Sequence, residues 1–429
     1  MKIPRRPHRV QYVSADDKIT SFSGLKLVMD LAHELGIVQD LSSLLTVKKR
    51  RRGIPIADFV MSLVSNFVIG GEHLTDLSQL RDEKATRSLL YGLDVPAATT
   101  AGETLRKFTI GHVKQVERVI ANALARTADR TNGLKPITLD VDSSIFEVHG
   151  YLKEGARYGY TRVNGYHPLL AFCAENRLLI GTRLRSGNRH TAHNVRSFLG
   201  ECVRRLPSDH RINGRFDAGF YSREVVEFCL ENSMGFTISA KLFAGLIERV
   251  DAIPDEGWKP YPWEDDAEWS EFSYQPVGWS RSLRMLVKRA PFYEGNQLVV
   301  GRYFYTPVIT NRPGAGSSLI RFHLARGGME NYIEEFKNGI GARIMPTGRF
   351  MANWAWLVIA QLAYNLVQWF KLLALPSAER SFQMKKLRLH WFHVAARVIR
   401  SGRKVTLALA RGPDAATRFE LVQRAIALA

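Results

Sequence analysis

The stretch Arg321-Phe-His-Leu-Ala-Arg-Gly-Gly-Met-Glu-Asn-Tyr-Ile-Glu-Glu-Phe-Lys-Asn-Gly339 carries two stripes when wound as a helix. His323, Arg326, Glu330 and Lys337 recur at steps of three, four and seven, so they share one face. Phe322, Ala325, Met329, Ile333, Phe336 and Ile340 form an apolar face beside it. Burying the apolar face sends a carboxylate, flanked by cations, along the surface the helix packs on. A carboxylate needs that arrangement to bind a metal ion next to a phosphate. Gly327 and Gly328 weaken the first turn, at about 1 kcal/mol each in a helix interior. The helix proper is therefore expected to start near Gly328 and to stop at Asn338-Gly339. Alone, such a segment is more often an ordinary amphipathic helix, so the decision rests on the rest of the chain.

Upstream, the pattern changes at Pro136 from helical spacing to period two. Ile137, Leu139 and Val141 alternate with Thr138, Asp140 and Asp142, which predicts a strand with one buried face and both aspartates on the other. Further strands are expected at 168–173, 178–184 and 235–240, with a helix marked by Val195, Leu199, Cys202 and Leu206. Asp217 falls at the end of another strand, just before a turn glycine and a new helix. Three strands, then helix, strand, helix and strand, is the order of a ribonuclease-H-like α/β core. The 321–339 helix should follow directly. Instead a β-rich insertion is expected at 243–303, holding Trp258, Trp263, Trp269 and Trp279.

The expected division is therefore as follows. Residues 1–135 form a helical DNA-binding region, and 136–242 the first part of the core. After the insertion, 304–345 complete the core, and 346–429 form a helical, basic C-terminal region. The apolar run 350–370 is long enough to span a membrane. Asn353, Gln361, Asn365 and Gln368 share one side of it, so a buried core helix is the expectation and no membrane partner is assigned.

Among 429 residues, Lys and Arg number 60 against 41 Asp and Glu, a net charge of +19. Such a balance calls for a polyanionic partner, nucleic acid before an acidic membrane. The run Lys48, Lys49, Arg50, Arg51 and Arg52 is read as a phosphate contact rather than a plain solvated loop. The cysteines Cys173, Cys202 and Cys229 are scattered, which argues against a disulfide or zinc framework and fits a reducing cytoplasm. No apolar run follows the basic N-terminus, so no signal peptide is expected.

Asp142, Asp217 and Glu330 come from the first strand, the fourth strand and the late helix, which neighbour one another in such a core. Hard divalent cations take oxygen ligands and leave positions open for water and phosphate. Asp140 and Asp142 share a face, so periodicity cannot separate them.

The chain resembles DDE-class bacterial insertion-sequence transposases. The likeness is to group 1, with its Tyr-Arg-Glu-Lys signature, and to the insertion-sequence family numbered thirteen-eighty. Arg326, Glu330 and Lys337 match that signature in identity and spacing, while His323 stands where tyrosine is expected. Asp142-Ser-Ser144 resembles the first acidic motif and Asp217-Ala-Gly-Phe-Tyr-Ser222 the second. Gly165-Tyr-His-Pro-Leu-Leu-Ala-Phe172, Leu184-Arg-Ser-Gly-Asn188 and Leu362-Ala-Tyr-Asn-Leu366 also match family landmarks.

The resemblance implies Asp142, Asp217 and Glu330 as catalytic metal ligands for two Mg2+ ions, with Mn2+ as a substitute. It implies His323, Arg326 and Lys337 as DNA contacts, and one of the four insertion tryptophans as a base-stacking group. The partners are then double-stranded DNA, as element ends and target, and a second copy of the chain in a homodimer. The activity implied is cut-and-paste transposition in a bacterial cytoplasm. Two other readings stay open: a two-metal nuclease on the same fold without strand transfer, and a DNA-binding derivative without catalysis.

Overall fold

The computed structural model describes residues 18–47, 53–131, 136–150, 152–159, 161–294, 297–402, 404–412 and 414–429. The basic run 48–52 lies outside the described residues.

The N-terminal region is helical from Leu25 to Thr131 apart from short connections. Its best-buried element is α1 (Ile56–Ile69), apolar on nearly all sides and therefore a core helix. A long amphipathic helix, α2 (Ile110–Thr131), closes the region with Val113, Val116, Ile120 and Ala123 inward.

The core strands follow in the expected places. They are β1 (Ile137–Ser143), β2 (Leu169–Cys173) and β3 (Leu179–Arg183), then helix α3 (Val195–Val203) and β4 (Ile212–Phe216). Helix α4 (Arg223–Glu231), capped by the Ser222 hydroxyl on Val225 N–H, leads into β5 (Gly235–Ser239). Their spatial order is β3-β2-β1-β4-β5. β1 pairs antiparallel with β2 and parallel with β4, and β4 pairs parallel with β5.

Both faces of this sheet are covered. Phe172 of β2 meets Tyr332 and Tyr364 on one side. Gly181, paired with Ala171, backs on to Cys202 and Phe198 of α3 on the other. Hence Thr138 and Asp140 are as buried as Leu139 and Val141, which corrects the expectation of a strand with one buried face.

The 243–303 stretch is β-rich, but it builds no sheet of its own. Strands β6 (Lys259–Pro260), β7 (Glu268–Tyr274), β8 (Leu283–Glu294) and β9 (Gln297–Thr310) extend the core sheet to nine strands. Thr237–Ser239 of β5 pair with Val308–Thr310 of β9, so one long strand carries the chain back into the core.

The quoted stretch is not one helix. It is α5 (Gly316–Leu324), a 3-10 turn (Ala325–Gly328), α6 (Met329–Glu334) and a π turn (Glu335–Gly339). The apolar stripe holds from Met329 onward, where Met329, Ile333, Phe336 and Ile340 are buried. Upstream it fails, because the tighter 3-10 turn rotates the faces and leaves Ala325 exposed. There Leu319, Ile320 and His323 point inward instead.

The apolar run forms α7 (Phe350–Trp369), which packs against α1, α2 and β3. Its polar side satisfies the edge strand: Asn365 bonds both N–H and C=O of Leu179, and Gln361 bonds Leu179 O and Thr182 Oγ1. It is the helix long and apolar enough to cross a membrane among the described residues, and 89% of that stretch is buried inside the protein.

The C-terminal region is not all helix. A hairpin, β10 (Ala396–Ser401) and β11 (Lys404–Leu409), joins the short strand Ile19–Thr20 before α8 (Asp414–Ala427). Arg400 and Val405 face each other across it, in a period-two run that the basic composition masked.

Candidate active site

β1 and β4 run parallel in a constant register, from Ile137 against Ile212 to Val141 against Phe216. The next residues along the two strands are Asp142 and Asp217, and the charge of Asp217 is felt by Asp142. Asp142 stands opposite Leu170, and Asp140 opposite Phe172, so both aspartates face the α6 side of the sheet. Asp217 is fixed by accepting from Gly219 N–H at 2.9 Å in the turn that follows β4. The approach at 219 is close: an added Cβ would lie 2.9 Å from Thr191 Cγ2 and 3.1 Å from Asp217 Oδ1, so a side chain there would have to displace Thr191.

Asp142 accepts from Ser143 N–H at 2.7 Å and pairs with Arg326 Nη2 at 2.8 Å. Burial, with the neighbouring Asp217 charge, raises its carboxyl above the usual range, while Arg326 pulls it back. The pair therefore calls for positive charge, and carboxylate oxygens suit a hard divalent cation.

Asp140 has a different employment. Arg215 grips it bidentately, at 2.5 and 2.6 Å, and donates onward to Phe322 O at 2.8 Å. That ties β1, β4 and α5 together and leaves Asp142 as the aspartate free of this clamp.

Glu330 lies exposed in the first turn of α6, one turn beyond Arg326. Three carboxylates were expected to meet at one point; Asp142 lies in the field of Asp217, and Glu330 is exposed on α6. Arg326 lies on Asp142 instead, and no group of three or more His, Cys, Asp or Glu side chains is assembled to hold a metal among the described residues.

Lys337 is half-buried and donates to Ser144 Oγ at 3.1 Å and Ile145 O at 3.0 Å, so it anchors the exit of β1. His323 is buried, with Nε2 on Ser239 Oγ at 2.8 Å and Nδ1 on Thr237 Oγ1 at 3.0 Å. Both ring nitrogens are engaged, which corrects its assignment as a DNA contact: it fastens α5 to β5.

Burial, then the fields of Arg326 and Arg215, hold the His323 imidazole down to about 3 from its ordinary 6.5. The unfolded chain takes up this proton near 6.5 and the folded chain does not. Stability from this group is thus full above that pH and is lost as pH falls toward 3. At about 1.4 kcal/mol per pH unit, the loss is roughly 2 kcal/mol over the first 1.5 units. Urea unfolding should show that acid-side slope in the wild type and lose most of it in His323→Gln.

The four tryptophans differ. Trp258 is buried under Arg289, at 4.2 Å, and Trp269 is buried against Gly316. Trp279 stacks on Tyr221 at 5.5 Å, and Trp263, the most exposed of the four at 42%, has the Arg321 guanidinium over its ring at 4.9 Å.

Arg185 was missed. It is buried and donates to the carbonyls of His167, His190, Thr191 and His193, at 2.8 to 3.1 Å. It thereby lays Thr191 over the site, with Thr191 Oγ1 3.4 Å from Ser143 Oγ. Leu184-Arg-Ser-Gly-Asn188 was visible as a motif, but nothing in its spacing says that the arginine turns inward to staple a loop.

Two strand-end carboxylates, with Arg326 paired to Asp142, mark the carboxyl ends of β1 and β4 as the candidate site. The sequence pattern of the family described as "Transposase DDE domain group 1" matches residues 4–429, and the chain belongs to that family. No curated protein matches it. Among solved structures it is similar to a piggyBac transposase synaptic complex with hairpin DNA, at a TM-score of 0.44 and 11% identity, covering 87% of this chain and 80% of that one.

Proposed function

We propose that this chain is a cut-and-paste DNA transposase whose active site is built on Asp142, Asp217 and Glu330. The observation that supports this is the β1–β4 register, which ends at Val141 and Phe216, one residue before Asp142 and Asp217, with Arg326 paired to Asp142. The order β3-β2-β1-β4-β5 supports a ribonuclease-H-like core with flanking regions on either side. The spacing of Arg326, Glu330 and Lys337 supports the Tyr-Arg-Glu-Lys group and insertion-sequence family thirteen-eighty.

Asp142, Asp217 and Glu330 would hold two magnesium ions, whose chemistry when bound is to activate an attacking oxygen and neutralise a leaving one. The chain's own part is to position. Arg215 and His323 fix α5 on the sheet, so that Arg326 reaches the carboxylates and can take a phosphate oxygen. In the first step a water oxygen attacks phosphorus at the element's end, and the P–O3′ bond breaks to free a 3′-hydroxyl. In the second, that hydroxyl attacks a target phosphodiester and displaces the target's own 3′-oxygen. Two element ends need two such sites, so the working form is taken as a homodimer on double-stranded DNA. The base-stacking role is assigned to Trp263, the most exposed of the four, whose ring Arg321 would have to uncover.

Purified protein, Mg2+, a duplex bearing the DNA that flanks the gene and a target plasmid make the test. Both free 3′-ends and joined products are expected. Cleavage without joining would favour the nuclease reading, and neither would remove the catalytic one. Trp263→Ala should weaken the handling of an end with an unpaired base by about 1–3 kcal/mol of stacking.

A further inference from the structure

The loop 188–193, between β3 and α3, is built from the inside. Arg185 beneath it is 5% exposed and donates to the carbonyls of His167, His190, Thr191 and His193. Two further contacts pin its base: Ser186 Oγ donates to Gly155 O at 2.7 Å, and His167 Nδ1 lies 2.9 Å from Arg189 O. Gly187 lies flat on the neighbouring chain, where a Cβ would fall 2.2 Å from Arg157 O and 2.3 Å from Gly165 O. A loop stapled through its carbonyls has its N–H groups turned the other way. In a trans peptide the N–H points opposite to the C=O. The carbonyls of His190 and His193 face Arg185, so the N–H groups of Thr191 and Asn194 face away from it.

The same loop is set over the acidic pair. Thr191 Oγ1 is 3.4 Å from Ser143 Oγ, and Ser143 N–H is on Asp142 Oδ1. The Thr191 methyl lies against Gly219, whose N–H is on Asp217 Oδ1. One side chain thus meets the residue that holds each carboxylate. Arg189, His190 and His193 are exposed on the outer side. Acceptors are turned in and donors turned out, which is the polarity that receives an anion. The carboxylates below cannot themselves take a phosphate, so a strand laid across them needs donors at the rim.

We propose that the loop 188–193 seats a phosphate next to the one being cut: Thr191 donates to its oxygen, Arg189 neutralises its charge, and Arg185 is the positioning residue that holds both in place. This rests on the transposase reading for its substrate and adds a contact to the DNA strand besides Arg326.

The test uses the full chain on terminal-repeat duplexes in which a neutral methylphosphonate replaces one phosphate at a time around the cut. In the wild type one position beside the cut should lower single-turnover cleavage about ten-fold or more. Arg189→Gln and Thr191→Val should each slow cleavage of the unmodified duplex by about ten- to hundred-fold, and the methylphosphonate at that position should then cost little more. Thr191→Ser keeps the hydroxyl and should restore the wild-type pattern. Arg189→Gln should also flatten the log–log salt dependence of duplex affinity by about 0.9. Arg185→Lys keeps the charge, but one ammonium cannot serve four carbonyls as a guanidinium fork does. It should lose the position-specific effect with residues 189 and 191 intact, whereas a merely structural Arg185 would leave that effect in place at lower stability. Arg189 is exposed, so its variant tests the seat without risk to the fold. The proposal is overturned by the lack of a sensitive position in the wild type, by methylphosphonate effects of equal size in the wild type, Arg189→Gln and Thr191→Val, or by an unaltered salt slope in Arg189→Gln. The slope is read without cleavage, so it decides the seat even where the wild type neither cleaves nor joins, the outcome that removes the transposase reading.

Discussion

Asp142→Asn is expected to lower end cleavage and strand transfer by at least about 10³-fold while leaving DNA affinity and folding intact. The carboxylate sits where burial and Asp217 raise its proton affinity and where Arg326 already supplies positive charge. An amide keeps the shape and the Ser143 contact but removes the charge. Metal-assisted charge stabilisation is worth several kcal/mol, and each 1.36 kcal/mol is ten-fold in rate. Glu330→Gln should act in the same way, in magnesium and in manganese. Glu334→Gln should keep most activity, since Glu334 is exposed and engaged by Asn338 one turn on. Single-turnover assays on nicked and intact terminal-repeat oligonucleotides would decide. An active Glu330→Gln protein would withdraw the third ligand, and an active Asp142→Asn protein the mechanism.

Asp140→Asn should fail for the opposite reason. Asp140 is 1% exposed and its charge is answered by Arg215 alone among its hydrogen-bond partners. Breaking a buried pair from one side costs about 3–5 kcal/mol, against a total stability of about 5–15 kcal/mol for a typical domain. The expected result is a large fall in the urea midpoint, with DNA binding lost only in step with unfolding. Arg215→Met should cost as much, because it strands Asp140 and also releases Phe322 O. The two aspartates, alike in periodicity, are thus separable by the kind of damage: the Asp142 variant is a silent protein of normal stability and the Asp140 variant a destabilised one. A well-folded, inactive Asp140→Asn protein would reverse the assignment.

The strands of the core were legible because period-two alternation is local. Ile137, Leu139 and Val141 need no distant information to announce β1. The pairing of Asp142 with Asp217 was legible only through fold order, since register is a relation between strands. The 3-10 turn is half-announced by Gly327 and Gly328, whose low helix propensity signals a weak turn but not a change of phase. The π turn after Glu334 carries no local signal. Nor could spacing show that Arg326 would lie on Asp142, that Arg185 would turn into a loop, or that Val308–Thr310 would pair with Thr237–Ser239. Those are contacts between residues far apart in sequence, chosen by packing and charge.

The continuity of the nine-stranded sheet bears on how modular this protein is. An insertion folded apart from its host can be lost, swapped or enlarged without touching the host. Here the inserted chain and the core share one ladder of hydrogen bonds, and Met285, Leu286 and Val287 of β8 are buried against the remainder. Excising 243–303 would leave the stub of β9 as a bare edge, with unpaired N–H and C=O groups open to pairing with other chains. The 60-odd residues that interrupt the core are thus not a removable cassette, and any change in their length has to be absorbed at the hairpin tips.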